Sequence, residues 1–434
     1  MIPAAAAPAL LCFIVAVSIL LMLIRPRGIA EVYWIGTGVI LLLVLRLISL
    51  RLAKLGALKS LDVCLFLIGM MLLSEVAREH GVFDWLSATA VQRADGSRLR
   101  LFTLVYGVGV IVTVFLSNDA TAVVLTPAIL VAVRKAKVEP LPYLFACAFI
   151  ANAASFLLPI SNPANLVVFH SGMPPLGRWL QAFAVPCLLS IVSTYWVMRW
   201  IFRHELSGKI QNHAEPRPLN GNGRFVVGGV GLVVIVLLTV SSFGKDLGLP
   251  TCLAAMTITA VVSVKERTNP LLLAREISWE TLALVAGLFI MVDAMESIGA
   301  MNYTQAWLAS VERLGLTAAW FSTGFVVGVA NNLVNNLPLG LIAGGTLHAA
   351  HGTASIGYPV LIAVDLGPNL SITGSLATIL WLIALRKEKT RRDLLGFPES
   401  WRCRDAGRIA CFSLRCGANP ENSRPLIFEL RRHL

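Results

Sequence analysis

Between Leu101 and Val133 the chain carries one charged side chain in 33 positions, Asp119, set in the run Ser117-Asn118-Asp119-Ala120-Thr121. A carboxylate held in hydrocarbon costs at least about 2.5 kcal/mol on insertion scales, so an acid kept at such a place points to ion or proton handling. Asp365, which opens the run DLGPNLSITGS at 365–375, is the second such acid. Amide and hydroxyl side chains recur in the same apolar surroundings: Asn118 beside Asp119, Asn162 and Asn165 in PISNPAN, Asn335 and Asn336 in NNLVNNLP, and Thr373 and Ser375 after Asp365. Such groups hydrogen-bond a small polar solute without burying a full charge. Asp119 and Asp365 are expected to take up and release protons as that solute exchanges; the alternative for Asp119 is a cap on the N-terminus of a half-length helix.

To converge, these side chains need backbone that breaks inside the membrane. The stretch 101–133 is too long for one crossing of about 20 residues and too short for two with a turn. It predicts two half-length helices, 101–116 and 120–133, that meet in the membrane and return to the side they came from. Residues 314–347 repeat this length with no charge at all. Residues 141–172 and 356–385 read as long spans interrupted by PISNPAN and DLGPNLSITGS, and irregular backbone at that depth is tolerated only where protein or a water-filled cavity satisfies it. Ordinary spans are predicted at 3–24, 34–50, 60–77, 178–202, 225–243, 249–264 and 278–298, the first of them retained because it lacks the basic start of a signal peptide.

Composition agrees. The 434 residues are 56% hydrophobic and only 14% charged, about half the charge density of an ordinary soluble protein. This excludes a water-soluble globule and a single-anchor enzyme with a large soluble domain. The formal charge of +12 reads as topology rather than as nucleic-acid binding. The eight cysteines include no C-x-x-C pair and His170, His348 and His351 lack metal-ligand spacing, so neither metal nor cofactor is expected. Glu75, Asp293 and Glu296 are expected to snorkel to the interface, and Asp62 and Glu280 to favour the first turns of their own helices.

The unusual segments come in pairs. A shift of 218 places Asp62 on Glu280 and Glu75 on Asp293, and a shift of 217 places Asn118 and Asp119 on Asn335 and Asn336. The interrupted spans align at 212, with Asp365 on Ala153. This predicts an all-α polytopic membrane protein built from inverted repeats with re-entrant hairpins and broken transmembrane helices. The first repeat is 1–202, with three spans, hairpin 101–133, broken span 141–172 and span 178–202; 203–224 is a cytoplasmic linker. The second repeat is 225–390, with three spans, hairpin 314–347 and broken span 356–385. With the N-terminus outside, 22 Lys and Arg fall inside against six outside, three of the six in the 51–59 loop.

SNDATAVVLTP at 117–127, PISNPANLVV at 159–168 and DLGPNLSITGSLATILWL at 365–382 resemble the arsenical pump membrane protein (ArsB) family of the ion transporter superfamily, which also includes dicarboxylate and citrate carriers. The resemblance runs from about residue 5 to 390. It implies a multi-pass protein of the bacterial inner membrane that exports arsenite or antimonite, coupled to proton entry and in some operons to an ArsA-type ATPase. Arsenous acid is neutral at pH 7, and its hydroxyls would need partners such as the Asn, Thr and Ser side chains above rather than an arginine clamp. No Lys or Arg lies between Lys137 and Arg178 or between Arg313 and Arg386. A proton- or sodium-coupled anion carrier and a non-transporting scaffold are the other readings. The family has a final helix where residues 391–434 hold nine Arg, no Lys and five acids, the composition expected of a frameshifted end; a genuine cytoplasmic extension is the alternative.

Overall fold

The computed structural model describes residues 6–210, 218–267, 275–349, 354–371, 378 and 381–382. Thr373, Ser375 and the 391–434 tail lie outside the described residues. All regular elements among the described residues are helical, as hydrocarbon demands of backbone that must satisfy its own polar groups. In chain order they are α1 (Ala7–Ile24), α2 (Glu31–Val44), α3 (Leu50–Lys59), α4 (Leu61–Glu79), α5 (Val82–Arg93), α6 (Arg98–Phe115), a π-helical segment (Ala120–Leu125) and α7 (Thr126–Lys135). Then follow α8 (Leu141–Ala153), α9 (Pro163–Val168), α10 (Leu176–Ile201), α11 (Gly221–Ser242), α12 (Gly248–Glu266), α13 (Trp279–Ser297) and α14 (Met301–Glu312). The described chain ends with α15 (Leu316–Val334), α16 (Asn336–Ala349), α17 (Ala354–Leu366) and a 3-10 turn (Gly367–Leu370).

Five of these helices are long and apolar enough to cross a membrane, and two bent pairs, α3 with α4 and α13 with α14, bring the number to seven. The protein is an all-α polytopic membrane protein. Small residues let its helices approach closely. On α4, a Cβ at Gly69 would fall 2.7 Å from the Thr251 backbone of α12. Beside the break between α8 and α9, buried Trp179, Phe183 and Phe156 and half-buried Phe169 form an aromatic cluster, and the Trp179 indole donates to Phe156 O at 3.1 Å.

Several expectations are corrected. The 34–50 span is shorter, ending at Val44, and Arg46 sits in the following turn with φ 55°. The expected 51–59 loop is helix α3, capped by the Ser49 hydroxyl, which accepts from Leu52 N. Its basic residues hide a face of small side chains: Ala53 and Gly56 are buried, and a Cβ at Gly56 would touch the Ile290 backbone of α13. Helices α5 and α14 were not expected at all. Asp293 does not snorkel; it is 8% exposed and accepts from Lys59 Nζ at 2.8 Å, an ion pair joining α3 to α13. Asp62 and Glu280 do lie in the first turns of α4 and α13, and the Asp62 carboxylate also accepts from Gly248 N at 2.7 Å and so caps α12.

Both hairpins return to the end they start from. The Tyr143 hydroxyl, at the start of α8 just after α7, donates to Arg98 O at the start of α6. Ala319 near the start of α15 and Leu347 near the end of α16 share one apolar cluster with Ile356 of α17. The first expected pair of half-helices, 101–116 and 120–133, becomes α6, the π-helical segment and α7. In that segment Thr126 donates to Thr121 O five residues back, and the Thr113 and Thr121 hydroxyls lie 2.8 Å apart across the hairpin.

Candidate functional site

Each part of the site begins with a helix that stops early. α8 ends at Ala153, and the segment after it carries Pro159 and Pro163, which donate no backbone hydrogen bond and disfavour a helical residue before them, so no α-helix resumes before α9. α9 restarts on Asn162, whose Oδ1 accepts from Ala164 N at 2.9 Å. That bond fixes the amide, so Asn162 Nδ2 points the other way and donates to Asp365 Oδ1 at 2.8 Å. Asp365 lies one residue before the end of α17, where Gly367 and Pro368 turn the chain into the 3-10 segment. Its Oδ2 lies 2.7 Å from Ser155 Oγ.

The two broken helices therefore meet at their breaks. Asn152 Nδ2 donates to Asn369 Oδ1 at 2.9 Å and adds a second link. Asn165 holds the first break closed: its Nδ2 lies 2.9 to 3.3 Å from the carbonyls of Ser155, Leu158 and Pro159. In the second half, Asn331 Nδ2 donates to Val364 O at 2.6 Å and Asn332 Nδ2 to Gly367 O at 3.1 Å, tying the end of α15 to the break after α17.

The hairpin tips flank this crossing. Asn118 is buried, and its Oδ1 accepts from Asp119 N at 2.9 Å. The Asp119 carboxylate itself is half-buried and makes no hydrogen bond to a described side chain. Ser161 donates to Val114 O at 2.9 Å, which fastens the first break to the arm of the first hairpin. At the second tip Asn335 takes φ 76°, and buried Asn336 opens α16. α16 then packs on α9: Gly340 faces Val167 and Val168, and Gly344 lies directly against Val168 O.

Asn162, Asn165 and Asp365 are thus brought together. Asn118 and Asp119 sit at one tip and Asn335 and Asn336 at the other, and no described side-chain bond joins either tip to Asp365. Five residues that sequence reasoning left out belong to the site: Asn152, Ser155, Asn331, Asn332 and Asn369. The signal for Asn152 and Asn331 was available, because an amide inside an apolar helix needs a partner in another element.

The site offers acceptors. Among the described residues, the amide oxygens Asn165 Oδ1, Asn331 Oδ1 and Asn336 Oδ1 are buried with no hydrogen-bond donor. No group of three or more metal-ligating side chains occurs among the described residues.

The family model described as CitMHS, citrate transporter, matches residues 5–367. The chain belongs to the citrate transporter family. Its relatives include an arsenical pump membrane protein of Yersinia enterocolitica, 27% identical over 74% of this chain and 78% of that protein. Another, from Escherichia coli strain K12, is 28% identical over the same shares of the two chains. Membership of the citrate transporter family, with the apolar helices above, makes this chain a secondary transporter rather than an enzyme, multi-pass in the bacterial inner membrane.

Proposed function

We propose that the protein exports trivalent metalloid, as the neutral hydroxide of arsenic or antimony, across the inner membrane in exchange for protons. The observation that carries this reading is the set of three buried amide oxygens, on Asn165, Asn331 and Asn336, that lack donors among the described residues. A buried acceptor left unpaired costs free energy. Arsenous acid brings three O–H donors and no charge, whereas a carboxylate brings acceptors only. The lack of Lys and Arg throughout 138–177 and 314–385 supports the same choice.

On this reading Asn118, Asn162, Asn165, Asn335, Asn336, Thr373 and Ser375 contact the solute, and Asp119 and Asp365 carry the proton. The two repeats are inverted in the membrane, and alternating access moves the hairpins and broken helices against the remaining spans. An ArsA-type ATPase is a candidate partner. The deciding experiment is arsenite uptake into everted vesicles with and without an imposed proton gradient. Uptake that rises with the gradient supports exchange; uptake indifferent to it removes the proton.

The matched family's description favours a second reading, a proton- or sodium-coupled carrier of a dicarboxylate or citrate-like anion. A strain lacking the gene separates the two. Sensitivity to arsenite supports the first, and loss of growth on citrate or succinate supports the second.

A further inference from the structure

The hydrogen bonds around Ser155 do not close if Asp365 is ionised. Ser155 Oγ lies 2.7 Å from Asn152 O and 2.7 Å from Asp365 Oδ2, and all three residues are buried. Both separations are those of O–H···O hydrogen bonds. A hydroxyl has one proton, and a carbonyl and a carboxylate are both acceptors. One of the two contacts would therefore hold two oxygens together with no proton between them. A protonated Asp365 removes the conflict: its Oδ2–H donates to Ser155 Oγ, and Ser155 Oγ–H donates to Asn152 O. Asn162 cannot resolve it instead, because its Nδ2 serves Oδ1 and its own oxygen is committed to Ala164 N.

We propose that Ser155 is the positioning residue that couples the proton on Asp365 to the break of α8. With the proton present, the Ser155 hydroxyl serves Asn152 O at the end of α8. When the proton leaves, the hydroxyl turns to the carboxylate and leaves that carbonyl to the Ser155 backbone N–H, 3.2 Å away. Asn152 also holds Asn369 across the crossing, so the switch acts where the two breaks are joined. Of the elements packed against α17, α8, α9, α15 and α16 contain no Asp, Glu, Lys or Arg, and α10 carries only Arg178 and Arg199, in its first and last turns. The titratable groups of the first four are Tyr143 and Cys147 on α8 and exposed His348 on α16. Tyr358 lies on α17 itself, and Cys187 of α10, whose Sγ lies 3.5 Å from Ala153 O, faces Asp365.

This inference rests on the proton-exchange reading, and its test is built to fail separately from it. Arsenite uptake into everted vesicles is measured against pH for wild type, Ser155→Ala and Ser155→Thr. Removing the hydroxyl takes a charge-assisted bond from the ionised carboxylate and a weaker neutral one from the protonated acid, so the difference moves the Ser155→Ala midpoint to higher pH by up to about one unit. Ser155→Thr keeps the hydroxyl and the wild-type midpoint. A wild-type midpoint in Ser155→Ala overturns the proposal. If wild type shows no pH or gradient dependence, the exchange reading fails instead, and infrared difference spectroscopy on the purified protein then decides the role of Ser155. The band of a protonated carboxyl, identified by its loss in Asp365→Asn, moves to higher frequency in Ser155→Ala if Ser155 accepts its hydrogen bond. A band that does not move, or no such band in wild type, overturns the proposal. Should Ser155→Ala fail to insert, Ser155→Cys carries both measurements with a smaller shift of the same sign.

Discussion

The two halves place their acids differently. At the hairpin tips the first half has Asp119 where the second has Asn336, while at the breaks the first has Ala153 where the second has Asp365. The aligned position of the other half holds a neutral residue in each case, so neither acid is demanded by the repeat pattern. Their surroundings differ as well. Asp365 is 1% exposed and held by Asn162 and Ser155, whereas Asp119 is half-buried and unbonded to any described side chain. A carboxyl fixed between two partners is suited to registering a proton and transmitting its presence. One left loose at a hairpin tip is suited to meeting what passes.

The sharpest way to break this comparison is Asp365→Asn. Asparagine keeps an oxygen for Asn162 and presents an N–H to Ser155, so it imitates the protonated acid and the fold survives. Gradient-driven accumulation of arsenite in everted vesicles is expected to fall to background, while exchange of labelled for unlabelled arsenite continues. Loss of both activities together would show that Asp365 binds solute rather than the proton. Asp119→Asn makes the two tips alike and is expected to cost less, about tenfold in accumulation, the worth of roughly one hydrogen bond to a charged group. An equal loss in the two variants would erase the distinction between a held and a loose acid.

The breaks were legible in the sequence, and their contents only partly. Stretches of abnormal length with one charge or none marked both hairpins, and PISNPAN and DLGPNLSITGS marked the breaks after α8 and α17, because those effects are local. What one residue does for another across 200 positions is not local. Nothing near Ser155 in sequence announces that its hydroxyl would meet Asp365, and nothing near Asp62 announces that it would cap α12. The ion pair of Lys59 with Asp293 was hidden for the same reason, and the charges of α3 made a helix look like a loop. Helices α5 and α14 escaped because each is too short and too mixed in polarity to register as a span.

Asn165 tests how far the first break depends on one amide. Asn165→Ala leaves the carbonyls of Ser155, Leu158 and Pro159 without that donor, and the thermal midpoint of the detergent-purified protein is expected to fall by the equivalent of about 2 kcal/mol. The second hairpin offers a packing test with its own control. Gly344→Ala forces a Cβ into Val168 O, whereas a Cβ at Gly345 meets nothing within 4 Å. Gly344→Ala should cost about 1 to 3 kcal/mol, and Gly345→Ala should stay within about 0.5 kcal/mol of wild type. Equal effects would mean that α16 does not seat on α9 through this glycine.

The smallest effect is expected at Asp62, which lies away from both tips and both breaks. Its carboxylate accepts from Gly248 N, the first residue of α12, where unpaired N–H groups carry a partial positive charge. Asp62→Asn keeps an oxygen for that bond and loses only the attraction between the charge and the helix end, about 0.5 kcal/mol. Asp62→Ala also removes the acceptor and should cost about 1 kcal/mol. Because this cap joins α4 to α12, neither variant should alter the pH midpoint of arsenite uptake, while both lower the thermal midpoint. An altered pH midpoint would place Asp62 on the proton path and end the claim that the acids at the tip and the break carry the proton alone.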